Sequence, residues 1–159
     1  MRSPIARALS LAACLLVGCA MPKTQGELLA SSYRGSPACA DAPREQVEQQ
    51  LEKHLSSCYV PYEAYKERVI SAGTTTIFLP GGKEFVPARY ETRREEHQTR
   101  FFVAIGASYL VSVLLSSGDA SCKTKIDVVA WNLPWMGSFD SLRAAARGEP
   151  ATCWGGAKN

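Results

Sequence analysis

FFVAIGASYLVSVLLSSG, residues 101 to 118, runs for 18 positions without a charged side chain. The fold turns on whether it crosses a membrane as one helix or doubles back as two strands. A run of about 18 apolar residues is just long enough for a transmembrane helix. The composition argues for strands instead. Six of the residues are Ser or Gly, Tyr109 to Ser116 can alternate faces with a period of two, and SSGDAS followed by KTKIDVVAW completes a hairpin pattern. A crossing would also leave Cys122 and Cys153 in a cytoplasm, where disulfides are rare. The stretch therefore reads as part of an antiparallel sheet.

Working outward, RVISAGTTTIFL (residues 68–79) is β-branched and apolar, and Pro80, Gly81 and Gly82 after it predict a turn. RYETRREEHQTR (residues 89–100) suits either an exposed strand or a solvated helix, and its neighbours favour a strand. Upstream of these, REQVEQQLEKHL carries Val47, Gln50, Leu51, His54 and Leu55 at helical spacing, which predicts a helix over 43–57 with Asp41 or Ala42 as its cap. Downstream, Ser138 is placed to cap a short helix, FDSLRAAARG, with Arg143 and Arg147 near its negative end and Gly148 to stop it. The order helix, strands, helix predicts an α+β domain: an antiparallel sheet of about four to five strands with two helices packed on one face, stapled by disulfides.

The amino-terminal residues address a different question. Arg2 and Arg7 precede about ten mostly apolar residues, Ala8 to Val17, too short to span a bilayer and suited to the core of an export signal. Leu16, Val17, Gly18 and Cys19 resemble the bacterial lipobox. That resemblance implies cleavage after Gly18, diacylglycerol on the Cys19 thiol, and acylation of the new amino group. Leu11, Ala12, Ala13 and Cys14 fit the same motif, but would leave only about six apolar residues after Arg7, short of the roughly 7–15 a signal core needs. The expected organisation is a signal peptide over 1–18, a lipidated cysteine and flexible tether over 19–38 spanning about 24 Å root-mean-square, and a periplasmic domain over 39–159. The expected membrane partner is the one Cys19 supplies through its covalent lipid. Ala20, lacking an acidic side chain, resembles the residue that permits sorting to the outer membrane.

Removing residues 1–18 takes away Arg2 and Arg7, so 16 of the 18 basic side chains remain against 15 acidic ones, a net charge of +1. That balance offers no electrostatic footprint for nucleic acid. Besides Cys19, the remaining chain holds Cys39, Cys58, Cys122 and Cys153, an even number in a chain bound for an oxidising compartment, so two disulfides are expected among three possible pairings. Cys39 and Cys58 flank opposite ends of a helix about 21 Å long, whereas bridged α-carbons lie within about 7 Å, which disfavours that pair.

A helix ending in Cys58, the strand KTKID (residues 123–127) and a closing helix followed by Gly148 and Cys153 resemble a class of small, mostly uncharacterised proteobacterial envelope lipoproteins. WNLPWMG departs from their pattern. The resemblance implies a Cys58 to Cys153 bridge, which leaves Cys39 for Cys122, and it implies no activity.

Catalytic signatures do not emerge. The sequence holds no G-x-S-x-G elbow, no phosphate-binding glycine loop and no H-E-x-x-H, and its only histidines are His54 and His97. His54 and Cys58 stand four apart and could share a metal, but a site needs three or four ligands and a free thiolate. No catalytic residue, metal or cofactor is therefore assigned. Trp131, Trp135, Met136 and Phe139 are the candidates for binding a partner, since Trp and Met at a loop resemble interface anchors, although large aromatics also serve cores. The expected function is a binding or scaffolding lipoprotein of the cell envelope with another envelope protein as its partner. The alternative is an inhibitor or modulator of a periplasmic hydrolase.

Overall fold

Alternation along residues 101–118 builds the centre of the sheet. In the computed structural model, which describes residues 21–30, 33–72 and 75–153 and only the backbone of 62–86, strand β6 (Gln98–Ile105) turns back into β7 (Ser108–Asp119). Gly106 takes the left-handed φ of +60° at that turn, a conformation costly for any residue with a Cβ. The next reversal leads into β8 (Cys122–Ala130), with Asp119 opposite Cys122. No helix among the described residues is long and apolar enough to cross a membrane. The signal segment, Cys14, Cys19 and Ala20 lie outside the described residues.

The remaining elements are α1 (Gln25–Leu29), β1 (Tyr33–Arg34), β2 (Ala38–Ala40), α2 (Arg44–Cys58), β3 (Tyr62–Ala72), β4 (Thr75–Val86), β5 (Ala88–Arg94), α3 (Leu133–Met136) and α4 (Ser138–Ala146). The main sheet is antiparallel and six-stranded, in the order β1, β8, β7, β6, β5, with β2 also on the outer edge of β8. This agrees with the expected sheet of about four to five strands: five lie side by side, and the chain before α2 supplies the two short strands that share the edge of β8. Tyr33 pairs with Ala130 and Cys39 with Lys125. Between them Gly35 donates its N–H to the Val128 carbonyl at 2.9 Å. A Cβ on Gly35 would stand 2.9 Å from Cδ2 of Phe139, so α4 can pass close to this edge only because the residue is glycine.

One face of the sheet carries the core. Phe101, Val103, Val111, Val113, Leu115, Ile126, Val128 and Ala130 meet Val47, Leu51 and Leu55 of α2 and Phe139, Leu142, Ala145 and Ala146 of α4. The two longer helices thus share one face. Disulfides close this layer. Cys58, at the end of α2, is bonded to Cys153 beyond α4, and Cys39 of β2 to Cys122 at the start of β8, with α-carbons 5.2 and 5.5 Å apart.

Several local expectations need correction. Residues 20–38 were expected to form a tether, yet within them α1 is a capped helix and β1 joins the sheet. Pro80, Gly81 and Gly82 do not turn the chain. They lie inside β4, where a register shift opposite Tyr65 and Glu67 makes a bulge, another place where glycine relieves the ladder. The reversal of that hairpin closes with Ala72 opposite Thr75, and β3 and β4 form a separate two-stranded sheet. Residues 89–100 divide between β5 and β6 around Glu95 to His97. Helix α2 is capped by neither Asp41 nor Ala42 but begins after Pro43, whose carbonyl accepts the N–H of Val47 at 3.1 Å. Ser138 is the first residue of α4 rather than its cap, and its hydroxyl donates to the Trp135 carbonyl at 2.7 Å.

Candidate functional site

Helix α2 turns Gln50, Lys53, His54 and Ser57 to one side, positions three or four apart along one helical stripe. Facing them is the chain that leaves α4. Gly148 adopts a φ of +73°, and Ala145, Gly148, Glu149 and Ala151 complete a groove of about 360 Å³. Glycine at 148 serves both the left-handed turn and the close approach, because a Cβ there would lie 2.6 Å from Gln50 Nε2. The groove runs beside the Cys58 to Cys153 bridge, which ties its two walls together.

The groove combines the hydrogen-bonding side chains Gln50, His54 and Ser57 with one basic and one acidic residue, Lys53 and Glu149. Both ring nitrogens of His54 lie 3.6 Å from Cys58 Sγ. One N–H cannot point at a sulfur equidistant from both nitrogens, so the ring rests against the disulfide rather than bonding to it. Partial burial pushes the imidazole below its ordinary pKa and favours the neutral form. Ser57 Oγ donates to the His54 carbonyl at 2.8 Å, so its hydroxyl is directed at the backbone rather than at the imidazole. Gln50 Oε1 is buried without a hydrogen-bond partner. Glu149 is held by Arg147 at 2.6 and 2.8 Å, and those bonds keep its carboxyl below the usual range. With Cys58 bridged, the His54 and Cys58 pair offers no thiolate, and no group of three or more metal-ligating side chains occurs among the described residues.

The aromatic candidates do not stay together. Phe139 is buried in the core, with the Arg143 guanidinium 5.8 Å from its ring centre. Trp131, Trp135 and Met136 are half-buried, packed against the core on one side. Asn132 caps α3 by accepting the Trp135 N–H at 3.2 Å, and Leu133 beside it is 64% exposed. Residues 131–136 therefore form a partly apolar end of the domain, and Phe139 leaves the set of binding candidates. Tyr59 is likewise buried, its hydroxyl pushed up to about 12 by desolvation.

A third cluster had not been singled out from the sequence. On the face of the sheet opposite α2 and α4, Gln25 of α1 donates to Glu91 at 2.9 Å, and the Tyr109 hydroxyl and the Arg89 guanidinium converge on the same carboxylate. Burial opposes the charge of Glu91, but these hydrogen bonds outweigh it and hold the carboxyl below its ordinary value. Arg89 also lies 5.7 Å from the centre of the Tyr109 ring. The signal for part of this was legible: Thr24-x-x-Glu27 followed by Leu28 and Leu29 is a capping box before an apolar pair, and both of its bonds are formed.

No protein-family model matches this chain, and no curated protein does. Among solved structures, the chain is similar to protein CV1439 from Chromobacterium violaceum, with 18% sequence identity and a TM-score of 0.35, over 72% of this chain and 96% of that one.

Proposed function

We propose that the chain is a lipid-anchored protein of the bacterial cell envelope, acylated at Cys19, facing the periplasm from the outer membrane, and that its domain is a binding or scaffolding component without catalytic activity. The observation that carries the reading is the pair of disulfides, which join residues 83 and 95 positions apart and fit an oxidising compartment. The export signal and lipobox read from residues 1–19 support the same address. The surface assigned to the protein partner is the groove between α2 and residues 148–151, where Lys53 can donate a hydrogen bond.

The test is metabolic labelling with palmitate followed by fractionation and co-purification. Cys19→Ser should abolish label and membrane association while Cys14→Ser leaves both intact, and the acylated protein should retain a stable envelope partner. Label that depends on Cys14 would move the anchor, recovery in the inner membrane alone would defeat the sorting, and capture of a lytic enzyme would replace scaffolding by inhibition.

A further inference from the structure

Two segments far apart in sequence are fixed to successive residues of β7. The Tyr109 N–H donates to the Pro22 carbonyl at 2.8 Å, and the Leu110 carbonyl accepts the Trp131 N–H at 2.9 Å. Pro22 is buried, so the amino-terminal chain is held at the very end of the sheet where the Trp-containing segment begins. Both segments present apolar side chains outward. Met21 is 52% exposed and Leu133 64% exposed, and they are two of the three exposed large apolar residues among the described side chains. Trp131, Trp135 and Met136, in the second of these segments, are half-buried and pack against the core.

We propose that this end of the domain, comprising Met21, Trp131, Leu133, Trp135 and Met136, rests in the headgroup region of the bilayer to which Cys19 is attached. The inference rests on the lipid anchor proposed above and adds an orientation to it. Three residue steps separate Cys19 from Pro22, and even a fully extended chain covers only about 3.6 Å per residue, so the docked proline lies within roughly 11 Å of the acylated residue. A tether of that length brings a lipid surface to the patch as an intramolecular event, at an effective concentration that a diffusing protein partner must exceed to displace it. Tryptophan suits the site, since its ring partitions to the membrane interface with the apolar body inward and the N–H toward water. The helical capping of α3 by Asn132 keeps Leu133 and Trp135 on a fixed turn rather than a free loop.

The test uses the full-length acylated protein in vesicles of phosphatidylethanolamine and phosphatidylglycerol containing lipids brominated near the headgroup, with Trp154→Phe so that Trp131 and Trp135 are the tryptophans that report. Mass spectrometry of the amino-terminal peptide establishes acylation in the same sample. The expected result is strong bromine quenching of the membrane-bound protein, reduced roughly threefold in Leu133→Asp, which places a charge in the interface. Met21→Asp supplies an independent second variant from the other segment and should act in the same direction. Acylated, vesicle-bound protein whose tryptophans are no more quenched than those of the Cys19→Ser protein would overturn the orientation while leaving the anchor standing. An unacylated Cys19 would overturn both. Tryptophans protected from bromine by a co-purifying envelope protein would also overturn it, and would return this end of the domain to a protein partner.

Discussion

The two faces of the sheet are closed in different ways. On one, helices of 15 and 9 residues bury a continuous apolar layer, and disulfides join its elements covalently. On the other, a five-residue helix contributes a single fully buried side chain, Leu28, and is held by its capping box and by hydrogen bonds that converge on Glu91. Apolar area dominates the first face, and buried polar bonds such as that from Thr99 to Glu48 of α2 add to it. A helix as short as α1 cannot stand on propensity or area, so its position depends on nearly every polar bond it makes. The first face should therefore set the global stability of the domain, and the second should open locally, below the free energy of global unfolding.

The largest effect that sharpens this contrast comes from the staples. Replacing Cys58 and Cys153 by alanine should lower stability in urea denaturation by about 4–5 kcal/mol, and replacing Cys39 and Cys122 should cost about the same, because the chain-entropy model depends only weakly on the difference between separations of 95 and 83 residues. A loss below about 1 kcal/mol from either would mean that the bridge does not constrain the unfolded chain. Next is a matched pair of leucines, both fully buried. Leu51→Ala, in the larger core, should cost about 2–5 kcal/mol globally. Leu28→Ala removes the same atoms but should leave the global midpoint within about 1 kcal/mol, releasing α1 instead, with Thr24→Ala weakening the same helix by about 1 kcal/mol. Equal global losses from the two leucines would break the distinction between the faces.

The smallest expected effect is electrostatic and belongs to the groove. Folding holds His54 below its ordinary pKa of 6.5, so the unfolded chain takes up the proton first as pH falls. Stability should be unaffected by this group well above pH 6.5 and should decline as pH drops below that value through the lower folded pKa. Lys53 and Glu149, the latter engaged by Arg147, line the same groove, but the shift comes from partial burial of the ring. His54→Gln should flatten the pH profile of the denaturation midpoint in this window. An unchanged profile would show that the ring is free in solvent rather than resting on the disulfide.

Much of the first face was legible in the sequence, for a physical reason. Val47, Leu51 and Leu55 repeat at helical spacing over several turns, and Val111, Val113 and Leu115 alternate as a strand must, so the burial requirement is written into long periods. The uncharged run of residues 101–118 was resolved by its serines and glycines, which fit the turn at Gly106 and the buried Ser112. The second face was not legible to the same degree. A helix of five residues shows no full period, and the small polar composition around it matches that of a linker. What decides between the two is the capping box at Thr24 and Glu27, a two-residue signal, together with partners more than 60 positions away at Glu91 and Tyr109. The Pro80 to Gly82 bulge was missed because the residues that permit a turn are the ones that permit an extra residue in a strand. The site candidates divided on similar grounds: Phe139 satisfied the composition of an interface anchor, but only the fold reveals that α4 turns it inward.

The docking of the amino-terminal segment makes the second face part of the domain and sets how near the proposed lipid anchor the sheet lies. Hydrogen exchange at the Tyr109 amide measures it directly, because that N–H is bonded to the Pro22 carbonyl. Slow exchange is expected in the native protein, accelerated by Leu28→Ala while the Trp131 amide, bonded to Leu110, stays protected. A Tyr109 amide that exchanges at the rate of a free peptide while Trp131 remains protected would contradict the docking, and would make residues 19–38 the tether that their composition suggests.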